Sequence, residues 1–276
     1  MMDDPLIIFG LGLSSWLYAR GMAGLWRRAG FGQGIRCWEA GCFALGWIFL
    51  AIALVSPLHT LGERLFSAHM AQHEVLMLIA APLLVLGRPL IAFLWALPPA
   101  WRERVGEWTQ ARPVAAGWRA ITGPLAVFAI HGVALWVWHV PRLYQATLTS
   151  DWVHALQHLS FFGSAALFWW ALIHGRYGRT GYGVSVFFVF ATSLHSSVLG
   201  ALLTFGRRLW YPIYAERTVP WGLTPLEDQQ LAGLIMWIPS GVIFVVLGLA
   251  LFAAWLGESE RRVAFTESER LAKHEI

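Results

Sequence analysis

Two pairs of histidines carry the most evident chemistry in this sequence. His69 and His73 stand four residues apart, and so do His154 and His158. On a helix that spacing sends both imidazoles from one face, one turn from each other. Neutral imidazole is a ligand for copper, zinc and iron, while thioether sulfur favours Cu(I). Met70 and Met77 lie beside the first pair, although both also read as packing or lipid-facing residues. Glu74 can hydrogen-bond an imidazole or stay protonated at depth. The first pair runs straight into the apolar stretch Val75 to Leu86, which belongs in hydrocarbon rather than water. An ionisable group in such a place marks a functional site by default.

The elements that must position these residues are membrane helices. The chain has 276 residues, 57% hydrophobic and 13% charged, with mean hydropathy +0.56. A soluble domain usually carries about a quarter charged residues. Seventeen Trp suit membrane interfaces, and no alternation supports a strand-based reading. The expected fold is therefore all-α, a polytopic membrane helical bundle of seven transmembrane helices. The spans fall at about 5–23, 38–55, 61–86, 121–140, 152–174, 183–205 and 225–255. Residues 1–256 read as one bundle and 257–276 as a charged cytoplasmic tail.

Local signals refine this outline. The sequence Thr60-Leu-Gly-Glu63 has capping-box spacing and places the start of the third helix near Leu61; Ser56 to His59 reads as a turn. Thr224-Pro225-Leu226-Glu227 is a second helix start, with Pro at the first helical position. Trp101, Val105 and Trp108 share a face opposite Arg102, Glu103 and Glu107, which suits an amphipathic interfacial helix. Cys37 and Cys42, five apart, fit neither a disulfide framework nor a CxxC site and read as packing residues. The N-terminus has no positive n-region, so no removable signal peptide is expected.

Net charge is +4, almost all arginine. In a membrane chain that reports orientation rather than nucleic-acid binding. One set of loops holds Arg20, Arg27, Arg28, Arg36, Arg88, Arg102, Arg104, Arg112, Arg119, Arg176, Arg179, Arg261, Arg262, Arg270 and Lys273. The other holds Arg64, Arg142, Arg207, Arg208 and Arg217. Fifteen of the 20 basic residues against five predict the N-terminus outside and the C-terminus in the cytoplasm.

That orientation turns scattered histidines into a layer. His59, His69, His73, His131, His139, His154, His158 and His195 all fall in or beside the outer leaflet, eight of the ten histidines. His131 and His195 sit at similar depth, below the two pairs. Asp228 and Met236 add a carboxylate and a thioether from the last span. His59, His139 or His154 taken alone reads more naturally as a hydrogen-bonded residue at a helix end. A layer drawn from five spans points to a metal, with copper the expected ion and zinc the alternative.

Five segments carry a resemblance: SPLHTLGERLFSAHMAQHEVLMLIAAPLLVLGRP (Ser56–Pro89), WVWHVPRLYQATL (Trp136–Leu148), HALQHLSFFGSAALFWW (His154–Trp170), LHSSVLGALLTFGRRLWYPIY (Leu194–Tyr214) and LEDQQLAGLIMWIPSG (Leu226–Gly241). On these the chain resembles the CtaG-type cytochrome c oxidase assembly factors, multi-spanning bacterial membrane proteins. The resemblance implies a non-enzymatic assembly role in the plasma (inner) membrane. It implies as partners membrane lipids and the catalytic subunit of a haem–copper oxidase; other copper chaperones and a second copy of the chain are further candidate partners. The ligand choice comes from the residues and not from the resemblance: copper would be held near the surface by His69, His73, His154 and His158, with His131, His195 and Met236 as a deeper shell. Two other classes stay open at this stage: a haem-binding membrane cytochrome and an intramembrane zinc hydrolase.

Overall fold

The computed structural model describes residues 5–175 and 182–274, with backbone only for Tyr182 and 262–274. Arg176 and Arg179, counted above among the basic residues, lie outside the described residues. Thirteen α-helices, a π-helical segment and two 3-10 turns (Pro212–Tyr214 and Val219–Trp221) account for the fold among the described residues, and no strand occurs there. They are α1 (Pro5–Ala29), α2 (Cys37–Val55), α3 (Pro57–Gly62), α4 (Phe66–Glu74), the π segment Val75–Ala80, α5 (Ala81–Leu86), α6 (Pro89–Ala96), α7 (Pro99–Gln110), α8 (Arg112–Ile121), α9 (Pro124–Trp138), α10 (Pro141–Thr147), α11 (Asp151–His174), α12 (Tyr182–Thr204) and α13 (Pro225–His274).

Among the described residues six helices are long and apolar enough to cross a membrane: α1, α2, the run Phe66–Leu86, α11, α12 and α13 up to Arg261. One further pair of helices passes the same test only when taken together, as a broken span or a re-entrant loop. α8 and α9 meet at 59° across Thr122 and Gly123. The span expected at 121–140 is therefore not one continuous helix, since α9 has only 15 residues and reaches ~22 Å at 1.5 Å per residue. Pro124 explains the break, because it has no N–H to continue the ladder from α8. The amphipathic segment around Trp101 is α7, none of whose residues is buried.

The start of the third span also differs from the sequence expectation. Ser56 caps α3, its Oγ accepting from Leu58 N–H at 3.1 Å, and Pro57 takes the first helical position. What reads as a turn is thus a short helix, which ends at Gly62. Thr60 bonds back to Pro57 O at 2.9 Å instead of forming a capping box. The box at Thr224 does form, with Thr224 N–H donating to Glu227 Oε2 at 2.8 Å and Glu227 N–H to Thr224 Oγ1 at 3.3 Å. The tail beyond Gly257 continues the last helix to His274.

In the packing, α12 lies along α13, α4 lies against α13, and α11 sits between α9 and α5. α1 packs on α6 and α2 on α5. At the end of the bundle away from the paired histidines, buried Glu39 caps α2 through Arg36 N–H (2.7 Å) and accepts from Arg88 Nε (2.8 Å). Tyr18 donates to Gly87 O at 2.8 Å and stacks on Phe43 at 3.5 Å. The α1–α6 contact depends on Gly21, where a Cβ would collide with the Ala92 carbonyl. Gly21→Ala should therefore destabilise the protein by about 1–3 kcal/mol, as overpacking does. Gly12→Ala meets nothing within 4 Å and should leave thermal unfolding in detergent unchanged or slightly raised.

Candidate metal centre

α4 and α11 face each other, and their paired histidines meet. His69 and His73 ring centroids are 4.4 Å apart, as are those of His154 and His158. Across the interface His69 stacks on His154 at 5.3 Å and His73 meets His158 edge-on at 5.3 Å. His59, from α3, stacks on His154 at 5.1 Å. Five imidazoles from three helices thus form one buried cluster. Within it, one ring nitrogen each from His69, His154 and His158 lie within 4.8 Å of one another.

Hydrogen bonds decide which nitrogens are free. Gln157 Oε1 lies 3.2 Å from His69 Nε2 and can only accept, so Nε2 carries the proton. His69 Nδ1 then holds the lone pair, and it is buried with no partner. His154 Nε2, His158 Nε2 and both ring nitrogens of His73 are likewise buried and unpartnered. His59 differs. Gln72 Nε2 donates to Ala53 O at 2.6 Å and to His59 Nδ1 at 3.0 Å. That leaves His59 with its proton on Nε2, a positioning neighbour rather than a ready ligand. Unpaired buried polar atoms are uncommon and costly, and here several of them belong to one cluster of imidazoles. Nitrogens sharing one ion at ordinary metal–nitrogen distances stand ~3.3 Å apart. Small ring rotations would close the trio on an ion, so these residues fit one.

Asp228 is not brought to the imidazoles. Fully buried, it sits on the N-terminus of α4, which has no capping side chain of its own. Its Oδ2 accepts from Phe66 N–H at 2.6 Å; its Oδ1 accepts from Ser67 N–H at 3.1 Å and from Ser67 Oγ–H at 2.5 Å. A carboxylate there satisfies orphan donors and meets the positive end of the helix dipole. His139 stands at the margin. Its Nδ1 donates to Leu135 O at 2.6 Å, and its ring is 6.1 Å from Phe161, which packs 4.6 Å from His73. His131 and Met236 line a separate small cavity, and His195 packs outside it against Phe128.

A lid closes the end of the bundle nearest the cluster. Tyr214 donates to Gly62 O at 2.9 Å, so Tyr144 donates to Tyr214 at 2.9 Å. Tyr211 donates to His139 O at 2.8 Å, and Arg217 to Glu63 O at 2.8 Å. Phe66 packs against all three tyrosines at 4.7–5.9 Å. Burial pushes the Tyr144 and Tyr214 hydroxyls up, so both remain donors. On the side, a cleft of about 370 Å³ lined by Leu11, Ser14, Leu50 and Leu54 reaches His59, His154 and His158.

Sequence reasoning passed over Gln72, Gln157 and the three tyrosines. The glutamines had a signal: both pairs read H-x-x-Q-H, His69 to His73 and His154 to His158. The tyrosines, one in the short helix α10 and two between α12 and α13, had none beyond a richness in aromatics.

A bundle of helices long and apolar enough to cross a membrane, around a buried imidazole cluster, defines a class of polytopic membrane proteins with a polar core. Within that class, the family model of the cytochrome c oxidase caa3 assembly factors (Caa3_CtaG) matches residues 16–258, and the chain belongs to that family. Uncharacterized proteins of Mycobacterium bovis and Mycobacterium tuberculosis are each 27% identical over 260 residues, covering 91% of this chain and 38% of the relative. One of Mycobacterium leprae is 27% identical over 281 residues, covering 97% and 40%. The chain thus spans about two-fifths of the length of the curated relatives it matches. No solved structure matches it.

Two outcomes follow from the side chains around the cluster. Asp228→Asn keeps the shape but replaces one accepting oxygen by a donor facing an N–H or a hydroxyl. A loss of about 1.5–3 kcal/mol is expected, read as a lower unfolding temperature in detergent, with Ser67→Ala losing less. His139 is lowered to about 4 by burial, partly offset by its bond to Leu135 O. The unfolded chain therefore binds a proton that the folded chain refuses, between about pH 6.5 and 4. Stability should fall as pH drops through that window, and His139→Gln should flatten the decline in thermal unfolding.

Proposed function

We propose that the protein is a non-enzymatic copper carrier for assembly of a haem–copper oxidase. The observation that carries this reading is the trio His69, His154 and His158, each with one ring nitrogen within 4.8 Å of the others and each with a buried ring nitrogen that has no hydrogen-bond partner. Family membership supplies the assembly role, and the donor set supplies the cargo. Imidazole accepts copper, and ligand exchange assisted by imidazole protonation can release it. His73 stands ready as a fourth donor, while His59, Gln72 and Gln157 orient the rings. Zinc is the competing ion for the same nitrogens. The partners proposed are the oxidase catalytic subunit, other copper chaperones and a second copy of the chain.

The arginine distribution supports a seven-span topology in the bacterial plasma membrane, N-terminus outside and C-terminus in the cytoplasm. The bent α8–α9 pair is one of those spans in this reading, residues 1–256 form the bundle, and 257–276 extend into the cytoplasm. The cluster then lies in the outer leaflet, at a depth from which a membrane-embedded copper site can be reached. A haem reading finds less support, because a porphyrin would have to part rings already 4.4–5.3 Å apart.

Anaerobic copper titration of the detergent-purified protein tests this. Copper should bind stoichiometrically, and His69→Ala combined with His154→Ala should weaken that binding at least a hundredfold. Undiminished binding by the double variant, or binding of zinc with no copper, would sink the assignment.

A further inference from the structure

Below the cluster the same span leads to a second set of donors. Met77 stands one four-residue step beyond His73, as His73 does beyond His69. It lines a cavity of about 30 Å³ together with Glu74, His131 and Met236. That is room for one water or one bare ion. Glu74 Oε2 is buried without a partner. His131 is held by Ser164. Because Ser164 Oγ donates to Phe161 O at 3.2 Å, it must accept from His131 Nδ1 at 3.1 Å. His131 Nε2 is left with the lone pair. Met77 and Met236 are 7% and 3% exposed, so neither thioether meets water or lipid to any extent.

The π segment Val75–Ala80 carries Met77, and π turns recur at functional sites. Its geometry has a local cause. Ala81 N–H bonds to Leu76 O, five residues back, but the next such donor would be Pro82, which has none. Trp169 Nε1 supplies it instead, donating to Met77 O at 2.9 Å. The backbone at Met77 is thereby pinned to α11.

We propose that Glu74, Met77, His131 and Met236 form a second metal site, selective for Cu(I), one turn below the histidine cluster. It deepens the copper reading and rests on it. Two thioethers and an imidazole select a soft ion over zinc or Cu(II). One carboxylate neutralises one positive charge, so a monovalent ion leaves the site uncharged, whereas a divalent ion would strand a charge in hydrocarbon. His195 does not line the cavity and plays no part.

The test is anaerobic Cu(I) titration of the full chain in a Cys37→Ser, Cys42→Ser background, followed by copper X-ray absorption. We expect two ions per chain, one of them showing sulfur scattering. Met77→Leu with Met236→Leu, which roughly conserves volume, should remove that ion and its sulfur signal while the nitrogen-bound ion persists. Glu74→Gln should weaken the second ion at least tenfold. A single ion with nitrogen scattering alone overturns the second site and leaves the histidine reading standing. Sulfur scattering that survives the double methionine variant overturns it as well. If no copper binds, both readings fall.

Discussion

One carboxylate decides where the central helix begins. α4 starts at Phe66 after a break, inside the bundle, with no side chain of its own to cap it. Asp228 reaches across from the last span and takes both backbone donors and the Ser67 hydroxyl. In apolar surroundings an unmade backbone bond costs several kcal/mol, so α4 has little freedom to start one residue earlier or later. A slip of one residue would turn His69 and His73 by about 100° away from α11. The register of the imidazoles therefore depends on a residue 162 positions from Phe66.

The lid is arranged on the same logic. Gly62, Glu63 and His139 present carbonyls at the lid end of the bundle, where helices stop. Tyr214, Arg217 and Tyr211 satisfy them from the loop between α12 and α13. The tyrosines stack on Phe66, the residue whose N–H Asp228 holds. Capping and covering thus converge on one turn of helix, and the cluster beneath is closed from above.

Spans were legible in the sequence because hydropathy reports the solvent a helix meets, and the histidine pairs were legible because their spacing reports a helical face. What escaped was whatever depends on a partner distant in the chain. The Thr60 box is sound as local chemistry, yet Ser56 captures α3 first and the next helix takes its cap from Asp228. The bend before α9 has a local cause in Pro124, but its 59° depends on where α8 finds room. Asp228 carried the right element for a ligand and the wrong address, since nothing in its neighbourhood announces an uncapped helix elsewhere. Gln72 and Gln157 were visible in principle, as a five-residue pattern written twice.

The π turn has a consequence for alignment along the span. Four residues of α-helix overshoot a full turn by about 40°, so a ladder of donors at every fourth position winds steadily around the cylinder. A wider turn holds more residues, and the same four-residue step across it falls short of a full revolution. The overshoot between His69 and His73 is met by an undershoot approaching Met77, and the ladder stands nearly straight. In effect one additional residue is stored within Val75–Ala80. It acts as a phase corrector, keeping one edge of the helix turned towards α11 while the lower half of the span keeps its own lipid-facing and protein-facing sides.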